Sequence, residues 1–125
     1  MKFLIVEDIA LMQKYSKKIL SPYAQCDIAS NGEEALKAYV QASLDNEPYD
    51  VIFLDIMLPG INGLQILERI RGSEHSENRV KIIIVTALNN CNFVSKAIEG
   101  GCDGYIVKPF NNDDIERHLK TLNLI

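Results

Sequence analysis

The chain has 125 residues, 47% of them hydrophobic and 24% charged, a balance that suits one globular domain large enough to bury a core. It excludes disordered and collagen-like classes, and no apolar run approaches the roughly 20 residues of a membrane helix. A net charge of −4 and a pI near 5.1 argue against nucleic acid as a direct ligand, which calls for a basic face. Cys26, Cys91 and Cys102 are odd in number and show no C-x-x-C spacing, so reduced structural thiols are expected rather than disulfides or zinc.

Met1–Val6 lacks the basic start and longer apolar run of a signal peptide, so a cytoplasmic location is expected. Within it, Lys2–Val6 reads as a strand. Ile9–Leu20 carries Leu11, Met12, Tyr15, Ile19 and Leu20 at helical spacing and is stopped by Ser21-Pro22. Ala24–Ala29 is a second strand. Asn31 can cap a helix, with Glu34 completing a capping box, and Leu36, Tyr39 and Val40 mark its apolar face. After a loop at Asp45–Pro48, Tyr49–Leu54 is a strand apolar on both faces, as in a buried parallel sheet.

Gly63–Arg71 follows as a helix with Leu67 and Ile70 inward and Gly72 at its end. Ser73–Arg79 is polar and expected to be exposed, with His75 in it. Val80–Val85 is the fourth strand. Phe93, Val94, Ala97 and Ile98 mark a helix ended by Gly100-Gly101, and Gly104–Val107 is the fifth strand. Asn112 is expected to cap a last helix, with Asp113 and Asp114 in its first turn and Ile115, Leu119 and Leu122 buried. His118 on that helix is expected at the surface. Strand and helix alternating five times predict an α/β, doubly wound parallel sheet of five strands with helices on both faces.

In such sheets ligands sit at the carboxyl ends of the strands. Glu7 and Asp8 follow the first strand, Asp55 the third, Thr86 the fourth and Lys108-Pro109 the fifth. Each alone is an ordinary cap, turn or loop residue; together they would gather three carboxylates, a hydroxyl and an ammonium in one cleft. Crowded carboxylates repel unless a cation intervenes. Magnesium answers this, with Asp8 and Asp55 as direct ligands and Glu7 acting through water. Lys108 would contact an incoming phosphoryl group, and Thr86 would donate a hydrogen bond to it.

Leu4-Ile5-Val6-Glu7-Asp8, Asp55 to Gly63, Thr86-Ala87 and Lys108-Pro109-Phe110 together resemble the receiver domains of two-component response regulators, over essentially the whole chain. The resemblance implies a flavodoxin-like, CheY-like sheet of order 2-1-3-4-5. It implies Asp55 as phospho-acceptor and Glu7 and Asp8 as the acidic pair holding magnesium (or manganese), with the Met57 carbonyl as a further ligand. It also implies Thr86 as switch hydroxyl, Lys108 as the phosphoryl-binding lysine in a cis bond to Pro109, and Tyr105 as the switch aromatic. Asp55 would accept a phosphoryl group from a sensor histidine kinase or a histidine phosphotransfer protein. The surface around Cys91–Leu124 would then change its binding to a downstream protein. Neither nucleic acid nor membrane is implied as a direct partner, and dimerisation on phosphorylation is compatible with it.

Cys102 and Gly104 depart from the family's usual Ala and Asp. Met57 and Leu88, two residues beyond Asp55 and Thr86, are bulky and apolar, so a phosphoryl lifetime that is not especially short is expected. Kinase specificity is expected around Ala10–Lys14 and Phe110–Asn111. The chain is read as a single receiver domain over 1–125 without an output domain, stand-alone or excised from a longer protein. The expected activity is a signalling switch, not an enzyme acting on other substrates. The alternatives are a binding-only pseudo-receiver and, more remotely, an aspartate-nucleophile phosphatase, which would want an acid where Met57 stands. Flavin binding would want a phosphate-cradling first loop, where Glu7-Asp8 stands instead.

Overall fold

Short runs of β-branched and apolar residues build β1 (Lys2–Val6), β2 (Gln25–Ala29), β3 (Val51–Leu54), β4 (Lys81–Thr86) and β5 (Gly104–Val107). Between and after them lie α1 (Ala10–Leu20), α2 (Gly32–Leu44), α3 (Gly63–Ser73), α4 (Cys91–Glu99) and α5 (Asn112–Thr121). The computed structural model describes residues 1–74, 79–88 and 90–125. All pairings are parallel, in the order β2-β1-β3-β4-β5, as the resemblance implies.

Alternation along the strands feeds two separate cores. Leu4, Val6, Ile52, Leu54, Ile82 and Ile84 face Ala35 and Ala42 of α2, Ile66, Leu67 and Ile70 of α3, and Ala97 of α4. Phe3, Ile5, Val51, Phe53, Ile83 and Val85 face Leu20 of α1 and Ile115 and Leu119 of α5. The sheet is thus a wall with three helices on one side and two on the other. The central strands β1, β3 and β4 are buried on both faces, which explains why they read as continuous apolar runs, while the edge strands β2 and β5 are partly exposed.

Several expectations shift. The last helix is capped by Asn111, not Asn112: Asn111 Oδ1 accepts the Asp114 N–H at 3.0 Å and Asp114 Oδ2 accepts the Asn111 N–H at 2.9 Å. A cap must stand three residues before its reciprocal acid, and Asn111 does. At α2, Asn31 accepts the Glu34 N–H at 2.9 Å as expected, but the Glu34 carboxylate reaches back to the Ser30 N–H instead.

Gly72 lies inside α3, which runs to Ser73. Glu74, expected exposed, is drawn in by Arg71. The Arg71 guanidinium also binds the Gly101 and Val80 carbonyls and pairs with Asp103 at 2.7 Å. His75 lies outside the described residues. His118 is half-buried, its Nδ1 2.8 Å from the Asp114 carbonyl oxygen. A Cβ on Gly104 would stand 3.0 Å from the His118 ring. On α1 the inward positions are Ser16 and Leu20, whereas Leu11 is 75% exposed. Val40 and Ile98 also face out, because each helix buries only a narrow stripe against the sheet.

Candidate functional site at the strand ends

The strand order reverses beside β1, so the crevice lies where β1 and β3 end side by side. Val6 pairs with Leu54, and the Asp55 N–H bonds to the Val6 carbonyl at 3.2 Å. Glu7 and Asp55 therefore stand at one level on neighbouring strands. Thr86 ends β4, and its carbonyl accepts the Lys108 N–H at 2.8 Å, which fixes the start of the β5–α5 loop. The Lys108–Pro109 bond is cis, as the resemblance implies.

Lys108 Nζ lies 2.7 Å from Glu7 Oε1 and 2.8 Å from Asp55 Oδ2. Both carboxylates are buried. Burial disfavours the lysine charge, but the hydrogen bonds and charges of Asp55 and Glu7 outweigh it and raise the Lys108 pKa. Burial also raises the Glu7 pKa; Lys108 pulls it back, and the nearby Asp55 charge adds to the rise. The directions agree physically: one ammonium shared by two carboxylates stays charged but leaves Glu7 incompletely compensated.

The other oxygens have partners too. Asp55 Oδ1 accepts the Met57 N–H at 3.0 Å, and Glu7 Oε2 accepts the Asp8 N–H at 3.1 Å. Asp8 is exposed, so the expected trio of carboxylates is split: two face the lysine and one faces solvent. Among the described residues no three acidic, histidine or cysteine side chains are gathered closely enough to hold a metal ion. The donor chemistry nonetheless suits a hard cation. Asp8 and Asp55 offer oxygens only, two carboxylates face one ammonium, and magnesium ordinarily takes one or two carboxylates with waters.

Thr86 is fully buried, and its Oγ1 accepts the Leu88 N–H at 3.4 Å. The Tyr105 hydroxyl donates to the Leu88 carbonyl at 2.6 Å, and the ring is partly exposed. Thr86 and Tyr105 thus hold the same loop residue, one at its N–H and the other at its carbonyl. Phe110 is buried, and the Met57 side chain is exposed.

Two residues that the sequence reading placed in helices without a role at the site also shape it. Gly63 begins α3 directly against the acceptor strand end: a Cβ there would lie 2.1 Å from the Asp55 carbonyl oxygen and 2.7 Å from Ile56 Cα. Its place eight residues after Asp55 was visible, but not the close approach that requires glycine. Tyr15, read only as part of an apolar stripe, reaches across from α1 to the carbonyl of Phe110.

The model of the response regulator receiver domain matches residues 3–120. The transcriptional regulatory protein CusR of Escherichia coli is 37% identical over 123 residues, 98% of this chain and 51% of that protein. PcoR of the same species is 33% identical over 122 residues, 97% of this chain and 50% of that protein. The chain thus spans about half the length of these curated relatives. Among solved structures, the CheX–CheY–BeF3–Mg complex from Borrelia burgdorferi superposes with a TM-score of 0.86 at 25% identity, covering 99% of this chain and 90% of that one. The BeF3-activated DrrB receiver domain gives 0.77 at 28% identity, covering 95% and 97%. With the strand order, the paired carboxylates and the bridging lysine in place, the chain belongs to the response regulator receiver domain family.

Proposed function

We propose that this receiver domain takes a phosphoryl group onto Asp55 from a phosphohistidine donor, or from a small acyl phosphate, and that the modification changes its binding of a protein partner. The observation that carries this reading is the Asp55 carboxylate at the switch point, held by Lys108 Nζ at 2.8 Å and the Met57 N–H at 3.0 Å. An Asp55 oxygen attacks phosphorus in line. The bond from phosphorus to the donor nitrogen or acyl oxygen breaks, and the donor leaves with that electron pair. Lys108 contributes positive charge where the transferring oxygens gather theirs, so the protein's contribution is positioning and electrostatics.

Asp8, Asp55 and the Met57 carbonyl would hold magnesium, with Glu7 acting through water. When bound, magnesium would supply a second positive centre for the phosphoryl oxygens. Two structural neighbours are a BeF3-activated receiver domain and a complex with BeF3 and magnesium. Thr86 turns its hydroxyl to the phosphoryl group and gives up the Leu88 N–H. That frees the loop held by Tyr105 and alters the surface formed by α4, β5 and α5. A sensor histidine kinase or a phosphotransfer protein fits as donor.

The test is intact mass after incubation with acetyl phosphate and magnesium. One added phosphoryl group is expected, absent in Asp55→Asn and absent when the metal is chelated. A folded chain that stays unmodified and does not bind beryllium fluoride would defeat the reading.

A further inference from the structure

We propose that Tyr15 is a positioning residue for Lys108, and through it for transfer at Asp55; the second half rests on the acceptor role given above. The Tyr15 hydroxyl donates to the Phe110 carbonyl at 2.5 Å, and its ring meets the Phe110 ring edge-on, with centroids 5.4 Å apart and planes at 64°. Phe110 is two residues beyond Lys108. The segment Lys108–Phe110 is therefore pinned at three places: at its start by the Thr86 carbonyl, at Phe110 by Tyr15, and just beyond by the Asn111 cap of α5.

Lysine needs such pinning. Its ammonium is a point charge on a flexible four-carbon stem, and it serves two carboxylates only if its backbone is fixed. The side chain borders a small cavity of about 10 Å³ that Ser16, Phe53 and Phe110 also line. Both ends of the side chain are held: the ammonium by the two carboxylates and the backbone by its ties to Thr86 and, through Phe110, to Tyr15. Tyr15 is the α1 side chain that holds this tether, and the residue is otherwise 39% exposed.

The full chain is labelled with ¹⁵N-lysine, and the Lys108 ammonium signal is identified by its loss in Lys108→Arg. An ammonium held by two carboxylates exchanges its protons slowly enough to give its own correlation. Tyr15→Phe keeps the ring contact and removes the hydroxyl. We expect it to shift or broaden that signal, to slow modification by acetyl phosphate and magnesium on the order of tenfold, and to leave the melting temperature within about 5 °C of the parent. Tyr23→Phe is the control: it removes the 3.2 Å bond from Tyr23 to Asn112 on the same side of the sheet and is expected to change neither readout.

An unchanged signal in Tyr15→Phe, or an equal change in both variants, would overturn the proposal. A changed signal with an unchanged rate would overturn its link to transfer. If the parent accepts no phosphoryl group, the ammonium signal still decides whether Tyr15 positions Lys108.

Discussion

At Lys108 a single side chain balances the strand-end acids, so its removal has a clear direction. Lys108→Met should slow modification by acetyl phosphate on the order of a hundredfold, read by mass against time, while Asp55 remains the acceptor. Water access is a second test at this scale. Leu88 packs partly against the core, and Leu88→Asn should speed loss of the phosphoryl group after donor removal; an unchanged rate would count against gating there. Remote from the site, the Tyr49 hydroxyl donates to Asp27 at 2.7 Å. Burial first, and then Asp27, push the Tyr49 pKa far above its usual 10. A raised folded-state pKa stabilises fully below the unfolded value and is lost as pH rises beyond it. Tyr49→Phe should therefore cost about 1 kcal/mol at neutral pH, with the gap closing above about pH 10, measured by urea unfolding at several pH values.

Helix starts show how far local chemistry can be read from sequence. The tandem Asn111-Asn112 offers two residues of the right type, and side-chain reach to Asp114 chooses the first; Asn111→Ala should cost about 1 kcal/mol, where Asn112→Ala should cost less. Both would be compared by thermal unfolding. The central strands β1, β3 and β4 were legible because both their faces are buried, so composition alone marked them. Helix faces were less so: Leu11 and Ser16 both lie on α1, yet the polar one is buried and the apolar one exposed. Periodicity cannot see which part of the stripe the sheet covers. The end of α3 was misread for another reason. Arg71 gathers acids and carbonyls from segments up to 32 residues away, and long-range pairing outweighs the local stop signal of Gly72. At the other end of α3, Gly63→Ala should destabilise by about 1–3 kcal/mol, because the added methyl meets the backbone at Asp55 and Ile56.

Across the molecule, the site was legible because parallel topology brings strand ends to one edge whatever the helices do. Glu7, Asp55 and Lys108 meet there, while Thr86 ends the neighbouring strand with its hydroxyl on the Leu88 N–H. The partition of the acids was not legible, since Glu7 turning in and Asp8 turning out depends on how each leaves β1 toward α1. The ties from Tyr15 to Phe110 and from Tyr105 to Leu88 link residues 95 and 17 apart, and no pattern in the sequence announces them. The wall formed by the sheet carries a thermodynamic corollary. Ile66 is buried on one side of it and Ile115 on the other, and among the described residues the two cores share no member. Trimming either to valine should cost about 0.5–1.5 kcal/mol. The double variant should lose the plain sum to within about 0.5 kcal/mol: the two halves would respond to damage as independent bodies bound to a common rigid plate.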